Sequence, residues 1–390
     1  MKWTDNRIYR LSKREVLRMV KRPAYVICMV CAPLFSFIYF ITLMNEGLPA
    51  DLPCGVVDMD NTSLSRRVLR NLDSFQQTGI TKEYASFADA RESMQRGEIY
   101  GFFYIPKGTT ATAMRFEQAK VSFYTNAAYL IPASLLYQDM TLMSEYASAG
   151  VARELLLAKG YTMDQAMGFL QPIQIDKRPL GNPWLNYSVY LNNTICPAVL
   201  MLLIMLVTAF SIHSELKDDT AKEWLMLSGD NIYLAVLGKL LPQTLIYSVV
   251  MCTCHVWLYG HLNFPLNSGI FPMLLAGILL ILAAQGFAVF MCSCIPSLRW
   301  SLSLCTLWGV LSFPISGFSF PVMAMPAPLQ SLSYLFPLRH YFLIYVDQAL
   351  NGLPMHYSAP FYLALLGFAV FPLLFLRLLR YTALHYEYTE

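Results

Sequence analysis

Charge is what this 390-residue sequence has least of. Asp, Glu, Lys and Arg together make up 14% of it, against 56% hydrophobic residues, whereas an average soluble domain is about 25% charged. A water-facing surface on so long a chain needs more charge than that. Disorder, a nucleic-acid-binding arm and an ordinary cytosolic enzyme are therefore excluded. Signatures of chemistry are missing as well. There is no G-x-x-x-x-G-K-[ST] loop to cradle phosphates, so the chain is not expected to hydrolyse ATP itself, and no G-x-S-x-G, H-E-x-x-H or paired-Cys zinc pattern occurs. The histidines, His213, His255, His261, His340, His356 and His385, are scattered, with no pair at ligand spacing. Asp58 and Asp60 resemble an acid pair, but their place just before Asn61-Thr62-Ser63 suits a turn and a helix cap better than catalysis. No catalytic residue, cofactor or metal is expected.

A disulfide framework is also lacking. Eight of the nine cysteines lie in apolar runs, and only Cys54 sits in a polar region, where it has no mate. Cys252/Cys254 and Cys292/Cys294 are two apart, which on a helix aims the thiols at different faces; they read as buried small hydrophobes rather than a metal site.

Long apolar runs are what the sequence has in plenty. Six stretches approach the roughly 20 residues a membrane-crossing helix needs: Ala24–Met44, Val189–Ile212, Leu240–Tyr259, Pro272–Ile295, Leu302–Val322 and Ala359–Leu376. The first has no small-residue cleavage site after it and reads as an uncleaved anchor. The few charges then set orientation. Lys2, Arg7, Arg10, Lys13, Arg14, Arg18, Lys21 and Arg22 precede the first span. Lys217, Lys222 and Lys239 follow the second, Arg299 follows the fourth, and Arg377 and Arg380 follow the sixth. The short loops on the other side, 260–271 and 323–358, hold only Arg339. Both termini are expected in the cytoplasm.

Between the first two spans, 45–188 carries 13 of the 28 basic and 15 of the 25 acidic residues. It reads as a soluble extracytoplasmic α/β domain, because strand-like and helix-like stretches alternate. Strands are expected at Leu52–Met59, Ile80–Tyr84, Tyr100–Ile105, Val121–Tyr124 and Ile173–Ile175. Helices are expected at Ser63–Leu72, from a Ser86-Phe-Ala-Asp89 cap to about Met94, from Tyr129 to Ala158, and after Thr162. Before the first span, Ile8, Leu11, Val16, Met19 and Val20 share one helical arc, with Arg10, Arg14, Arg18 and Lys21 opposite. That is an amphipathic membrane-interface helix or simply a positive-inside signal.

His255 is essentially the only ionisable residue within these spans, so no proton or ion relay is visible. The segment His213-Ser-Glu-Leu-Lys-Asp-Asp-Thr-Ala-Lys-Glu-Trp-Leu225 mixes both charge signs with an exposed-side Trp224. It suits docking of another protein, or a linker that tucks Trp224 into the lipid interface. In the fifth span Pro314, Gly317 and Pro321 interrupt the helix, Pro326 and Pro337 follow, and Leu329–Leu335 and Leu338–Leu350 are too short to cross. This region reads as re-entrant half-helices at an external exit, or as a kinked packing element.

Four segments together resemble the permease subunits of ABC-2-type exporters with a large domain between the first two spans. They are Val56-Val-Asp-Met-Asp-Asn-Thr-Ser-Leu-Ser-Arg66, Gly97-Glu-Ile-Tyr-Gly-Phe-Phe-Tyr-Ile-Pro106, Ser214–Leu225 with Gly238-Lys-Leu-Leu-Pro242, and Ser316-Gly-Phe-Ser-Phe-Pro321 with Met325-Pro326, Leu329-Gln330 and Phe336-Pro337. The resemblance implies an α-helical membrane protein of six transmembrane helices. Its parts are a cytoplasmic amphipathic interface helix at 1–22, the first span at 23–44, the extracytoplasmic domain at 45–188, five further spans within 189–380 with a cytoplasmic coupling loop at 213–233, and a cytoplasmic tail at 381–390. It implies a permease for ATP-driven export in a cell inner membrane: a dimer with a second permease chain, homo- or heterodimeric, bound to two copies of a separate ATP-binding subunit. Under the same resemblance the external domain would collect cargo or hand it on to a periplasmic adaptor; nucleic acid is not expected as a partner. Glu215, Lys217, Thr220, Glu223 and Trp224 would contact the ATPase. One departure stands out, since Asp219 occupies the place before Thr220 where the family usually has Gly, and His213 stands where it has a basic residue. The rival reading is a membrane-anchored receptor or partner-binding protein that uses the 45–188 domain.

Overall fold

The computed structural model describes residues 7–115, 117–171 and 178–386. The expected strand Ile173–Ile175 lies outside them, as do Lys2 and the last residues of the tail. The described chain forms two compact units, Glu46–Arg178 and the remainder on either side of it.

The membrane unit opens with α1 (Arg7–Lys21) and the first span α2 (Pro23–Leu43), which includes a π turn at Ile27–Cys31. Pro23 at the start of α2 separates the two helices, since it has no N–H to continue the first.

The inserted unit runs β1 (Leu52–Asp58), α3 (Ser63–Asp73), β2 (Thr78–Glu83), α4 (Phe87–Gln95), β3 (Gly101–Ile105), α5 (Thr109–Met114), β4 (Ser122–Thr125), α6 (Leu130–Ala158) and α7 (Met163–Leu170). Its sheet has the order β2-β1-β3-β4, with β1 parallel to both neighbours and β4 antiparallel to β3. Both faces are covered, so β1 and β3 bury nearly every side chain. Cys54, Val56 and Phe103 pack with Leu69 and Leu72 of α3 and Leu136 and Met140 of α6; Val57 and Phe102 pack with Ala90 of α4. Polar residues set the helix starts. Thr62 and Ser65 form a reciprocal capping box on α3, Thr162 and Gln165 form another on α7, and Ser86 caps α4. Asp58 and Asp60 are structural. Asp58 accepts from the backbone of Asp60 and Asn61 and from Ser65 Oγ, while Asp60 accepts from the backbone of Gly108 and Thr110 and so nucleates α5, a helix that the sequence pattern does not predict.

The chain then returns to the membrane unit with α8 (Tyr187–Lys217), α9 (Ala221–Leu227), α10 (Ile232–His261), α11 (Ile270–Cys294) and α12 (Leu298–Ile315). Two half-helices follow, α13 (Ala327–Ser333) and α14 (Pro337–Ile344), and then α15 (Ala359–Val370) and α16 (Leu376–His385). Among the described residues five helices are long and apolar enough to cross a membrane, and six if the last bent pair counts as one span. α8 and α11 form the centre of this unit, whereas α2 and α12 expose most of their apolar surface.

Boundaries differ from expectation at several spans. The second runs on to Lys217 rather than ending at Ile212, so the first residues of the expected coupling loop are helical. The third begins at Ile232 rather than Leu240, because Asn231 caps it by accepting from the backbone of Tyr233 and Leu234. Lys239, expected in a loop, is thereby inside a helix. The fifth ends at Ile315 rather than Val322, because Pro314 falls in its last turn and Gly317 takes a φ of 104°, which no helix accommodates. Pro326 and Pro337 open the two half-helices, and Pro321 precedes a single 3₁₀ turn. Arg339 of α14 reaches back toward the Ser316 carbonyl and lies over the Tyr334 ring.

Candidate functional site

Lys239 has to be neutralised where it sits, since an ammonium in an apolar helix is costly without a partner. It is 1% exposed, and its Nζ donates to Glu15 of α1 and Glu215 of α8, each at 2.7 Å. Both carboxylates are buried. Around this centre the remaining polar groups are arranged by charge. Glu15 also accepts from Ser211 Oγ at 2.9 Å and from Gln243 Nε2 at 3.3 Å. Glu215 receives a two-pronged contact from Arg14 at 2.8 and 2.9 Å, a contact from Arg18, and the Thr220 hydroxyl at 2.5 Å. Arg14 is held above the ordinary guanidinium value, because Glu215 outweighs its partial burial. Farther out, Asp218 pairs with Arg18 at 3.0 Å and Arg22 at 2.5 Å.

Close helix approach makes this geometry possible. A Cβ on Gly238 would lie 2.6 Å from Leu11 Cβ, so α1 and α10 touch where only glycine fits, and Ser12 Oγ donates to the Gly238 carbonyl at 2.9 Å. α1 therefore presents its Leu11–Glu15–Met19 stripe to the protein. The expected division into an apolar arc and an opposite basic arc is corrected here: Val16 and Val20 are exposed, and Arg14 and Arg18 turn inward to meet carboxylates. Arg10 and Lys21 remain exposed.

The turn after α8 is a Schellman closure, in which Thr220 N–H bonds the Glu215 carbonyl at 2.9 Å and Asp219 N–H the Leu216 carbonyl at 3.4 Å. Such a closure needs a left-handed residue, and Asp219 supplies it at φ 55°. The turn thus closes with Asp in place of Gly. His213 ties α8 to the end of α11, its two ring nitrogens facing the carbonyls of Ala209 at 3.1 Å and Ile295 at 2.9 Å.

α9 is then pinned at several points. Trp224, expected on an exposed side, is 2% exposed. Its indole N–H donates to the Ala235 carbonyl at 3.1 Å, and Lys239 Nζ lies 5.4 Å from the ring centre. An aromatic among charges reads as surface in sequence, but the Schellman turn folds α9 back so that this ring faces α10. Glu223 stays open to solvent, 3.8 Å from Arg14 Nε. Lys217, Lys222 and Met226 are also exposed. Of the five residues expected to contact an ATPase, Glu215 and Trp224 are buried, Thr220 is bonded to Glu215, and only Lys217 and Glu223 face outward.

Glu15, Ser211, Lys239 and Gln243 complete the site; none of them is a candidate site residue by sequence, where Lys239 reads as a loop charge. The signal was there: Glu15 falls midway between Leu11 and Met19, four residues from each, on the stripe that should be apolar, and Lys239 stands in an otherwise apolar helix. Among the described residues no three His, Cys, Asp or Glu side chains gather as a metal site.

A helical membrane unit with an inserted four-stranded α/β domain, no nucleotide loop, and an ion-paired elbow between two spans defines the class: a multi-pass membrane protein. The chain belongs to the ABC-2 family of transporter proteins, whose sequence profile matches residues 23–378. No curated protein matches it at significance. It is thus an ABC-2 transporter membrane component, of a family that usually lacks an ATPase site and that implies partner ATP-binding subunits in general.

Proposed function

We propose that this chain is the permease of an ATP-driven exporter: two such chains form the translocation pathway, both termini lie in the cytoplasm, and two ATP-binding subunits dock beneath, against α9. The observation that carries this reading is the fastening of α9. Thr220 is bonded to Glu215 of α8, Trp224 to Ala235 of α10, and Glu223 lies near Arg14 of α1. A force applied to the exposed side of α9, at Lys217, Lys222, Glu223 and Met226, is passed to α8 and α10 instead of being lost in loop bending. Closure of the ATPase pair on ATP would then bias the pathway between inward- and outward-open states. The basic excess on one side supports the orientation, and the Glu46–Arg178 domain would then face the periplasm, where an adaptor could receive cargo.

Docking is tested by surface changes that leave the buried anchors intact. Met226→Glu combined with Lys222→Glu should abolish co-purification of the ATP-binding subunit while the permease still elutes as a folded particle. Retained co-purification would count against α9 as the contact element. A reporter fused after Tyr386 that is active only outside the cytoplasm would overturn the orientation.

A further inference from the structure

A second feature of the membrane unit has no part in the elbow. α10, α11 and the end of the last span enclose a groove of about 310 Å³ lined by Leu241, Thr244, Leu282, Gln285, Pro372 and Leu376, among others. Small-molecule sites begin near this size. Its floor is tight. A Cβ on Gly286 would lie 2.4 Å from the Phe368 carbonyl oxygen, so α11 and α15 touch there and the space opens away from them.

Apart from Tyr233, which is exposed, the polar side chains of the groove are Thr244 and Gln285. Gln285 is 2% exposed, Thr244 Oγ1 lies 2.8 Å from its Oε1 and 2.9 Å from the Leu240 carbonyl, and Gln285 Nε2 has no hydrogen-bond partner among the described residues. A hydroxyl has one proton, so turning the amide over only exchanges which of its two heads is left alone. Gln285 lies nine residues from the end of α11, about 14 Å at 1.5 Å per residue, and so inside a hydrocarbon layer about 30 Å thick. No bulk water satisfies a group there, and a lone water in the apolar remainder would leave its own bonds unmade.

From this geometry we infer that the groove binds an uncharged, largely apolar small molecule with one hydrogen-bonding group, admitted from the bilayer interior, whose polar atom completes the Gln285 amide. Charge is excluded because, among the described residues, no Asp, Glu, Lys or Arg lines the groove. The bound molecule touches two structurally sensitive elements. One wall holds Pro372 and Leu373 of the 3₁₀ turn Phe371–Leu374, where the last span bends by 40°. The other holds Val236 and Leu240, neighbours on α10 of Ala235 and Lys239. The inference does not depend on dimerisation, export direction or ATP coupling.

The test uses the full-length chain in lipid nanodiscs and a diazirine-bearing hexadecanol, a chain with a single hydroxyl. Photolabel should map to 240–245, 282–286 and 372–376. Unlabelled hexadecanol should compete and hexadecane should not. Gln285→Leu should cut labelling about three- to tenfold, the share of one neutral hydrogen bond. Leu241→Trp, at the groove's rim, should abolish it, and this variant decides the matter if Gln285→Leu fails to fold. Labelling spread evenly over α2 and α12, or competed equally by hexadecane and indifferent to both variants, would overturn the inference and leave a furrow filled by lipid tails. Labelling that appears only when cross-linked dimers are separated would assign the groove to a second copy of the chain.

Discussion

Replacing Lys239 by Met gives the sharpest test of the buried elbow, because the geometry says which carboxylate is stranded. Glu215 would keep Arg14, Arg18 and Thr220. Glu15 would keep only the neutral donors Ser211 and Gln243. Removing one partner of a buried pair costs about 3–5 kcal/mol, mostly from the charge left behind, whereas replacing both partners by neutral groups is often close to neutral. Lys239→Met should therefore destabilise the membrane unit by about 3–5 kcal/mol. Adding Glu15→Gln should restore most of that loss. Adding Glu215→Gln should deepen it, since Arg14 and Arg18 then lose their shared acceptor. The assay is equilibrium unfolding in mixed micelles, with thiol labelling of a Ser12→Cys reporter to follow release of α1 from Gly238. Equal rescue by both second substitutions, or none from Glu15→Gln, would refute the reasoning.

The close contact of α1 and α10 predicts that Gly238→Ala forces Leu11 aside and costs about 1–3 kcal/mol, read as a lower melting temperature and faster labelling at the same Ser12→Cys reporter. Trp224→Phe should lose about 1 kcal/mol for the indole bond to Ala235, and Trp224→Ala about 3–5 kcal/mol; an unchanged melting temperature for Trp224→Ala would contradict its burial. In the inserted domain, two carboxyls should respond to pH with opposite signs. Burial raises Asp139 above the usual carboxylate value despite the Thr78 hydroxyl at 2.9 Å, so its folded value exceeds the unfolded one. Its contribution is fully present in acid and is lost as pH rises. Asp139→Asn should flatten that trend in domain unfolding monitored between acid and neutral pH. The Thr110 hydroxyl bond, with the Thr110 and Gly108 amides, holds Asp60 below the usual value. Its contribution is present above the unfolded value and lost as pH falls through the folded one. Asp60→Ala should cost about 1 kcal/mol at neutral pH and little in strong acid.

Much of the architecture was legible because it follows from one-dimensional rules. A bilayer sets a minimum apolar length, so the candidate spans stand out regardless of how they pack. Local hydrogen bonding does the same for helix starts: Ser86 and Thr162 cap the helices expected after them, since the bonds run only three residues along the chain. The resemblance built on four segments agrees with the family match over 23–378. Asp219 shows where a local rule was too narrow. Aspartate itself adopts the left-handed conformation, so the closure forms without a glycine.

The elbow was not legible in this way. In sequence Lys239 reads as a loop charge, Trp224 as an exposed-side aromatic, and Arg14 and Arg18 as basic residues opposite an apolar arc. Each of these readings treats a side chain by its own polarity, whereas a charge's cost depends on what lies within a few ångströms of it. Hydropathy and local spacing by themselves determined a multi-span helical protein with an inserted α/β domain and the start points of several helices, because those properties depend on neighbours along the chain. Only the tertiary structure decided that Glu15, Glu215 and Lys239 share one buried site and that Gln285 is left with an unmade bond. Groups 24 to 224 residues apart along the chain meet there, and no local pattern encodes which of them will be neighbours in space.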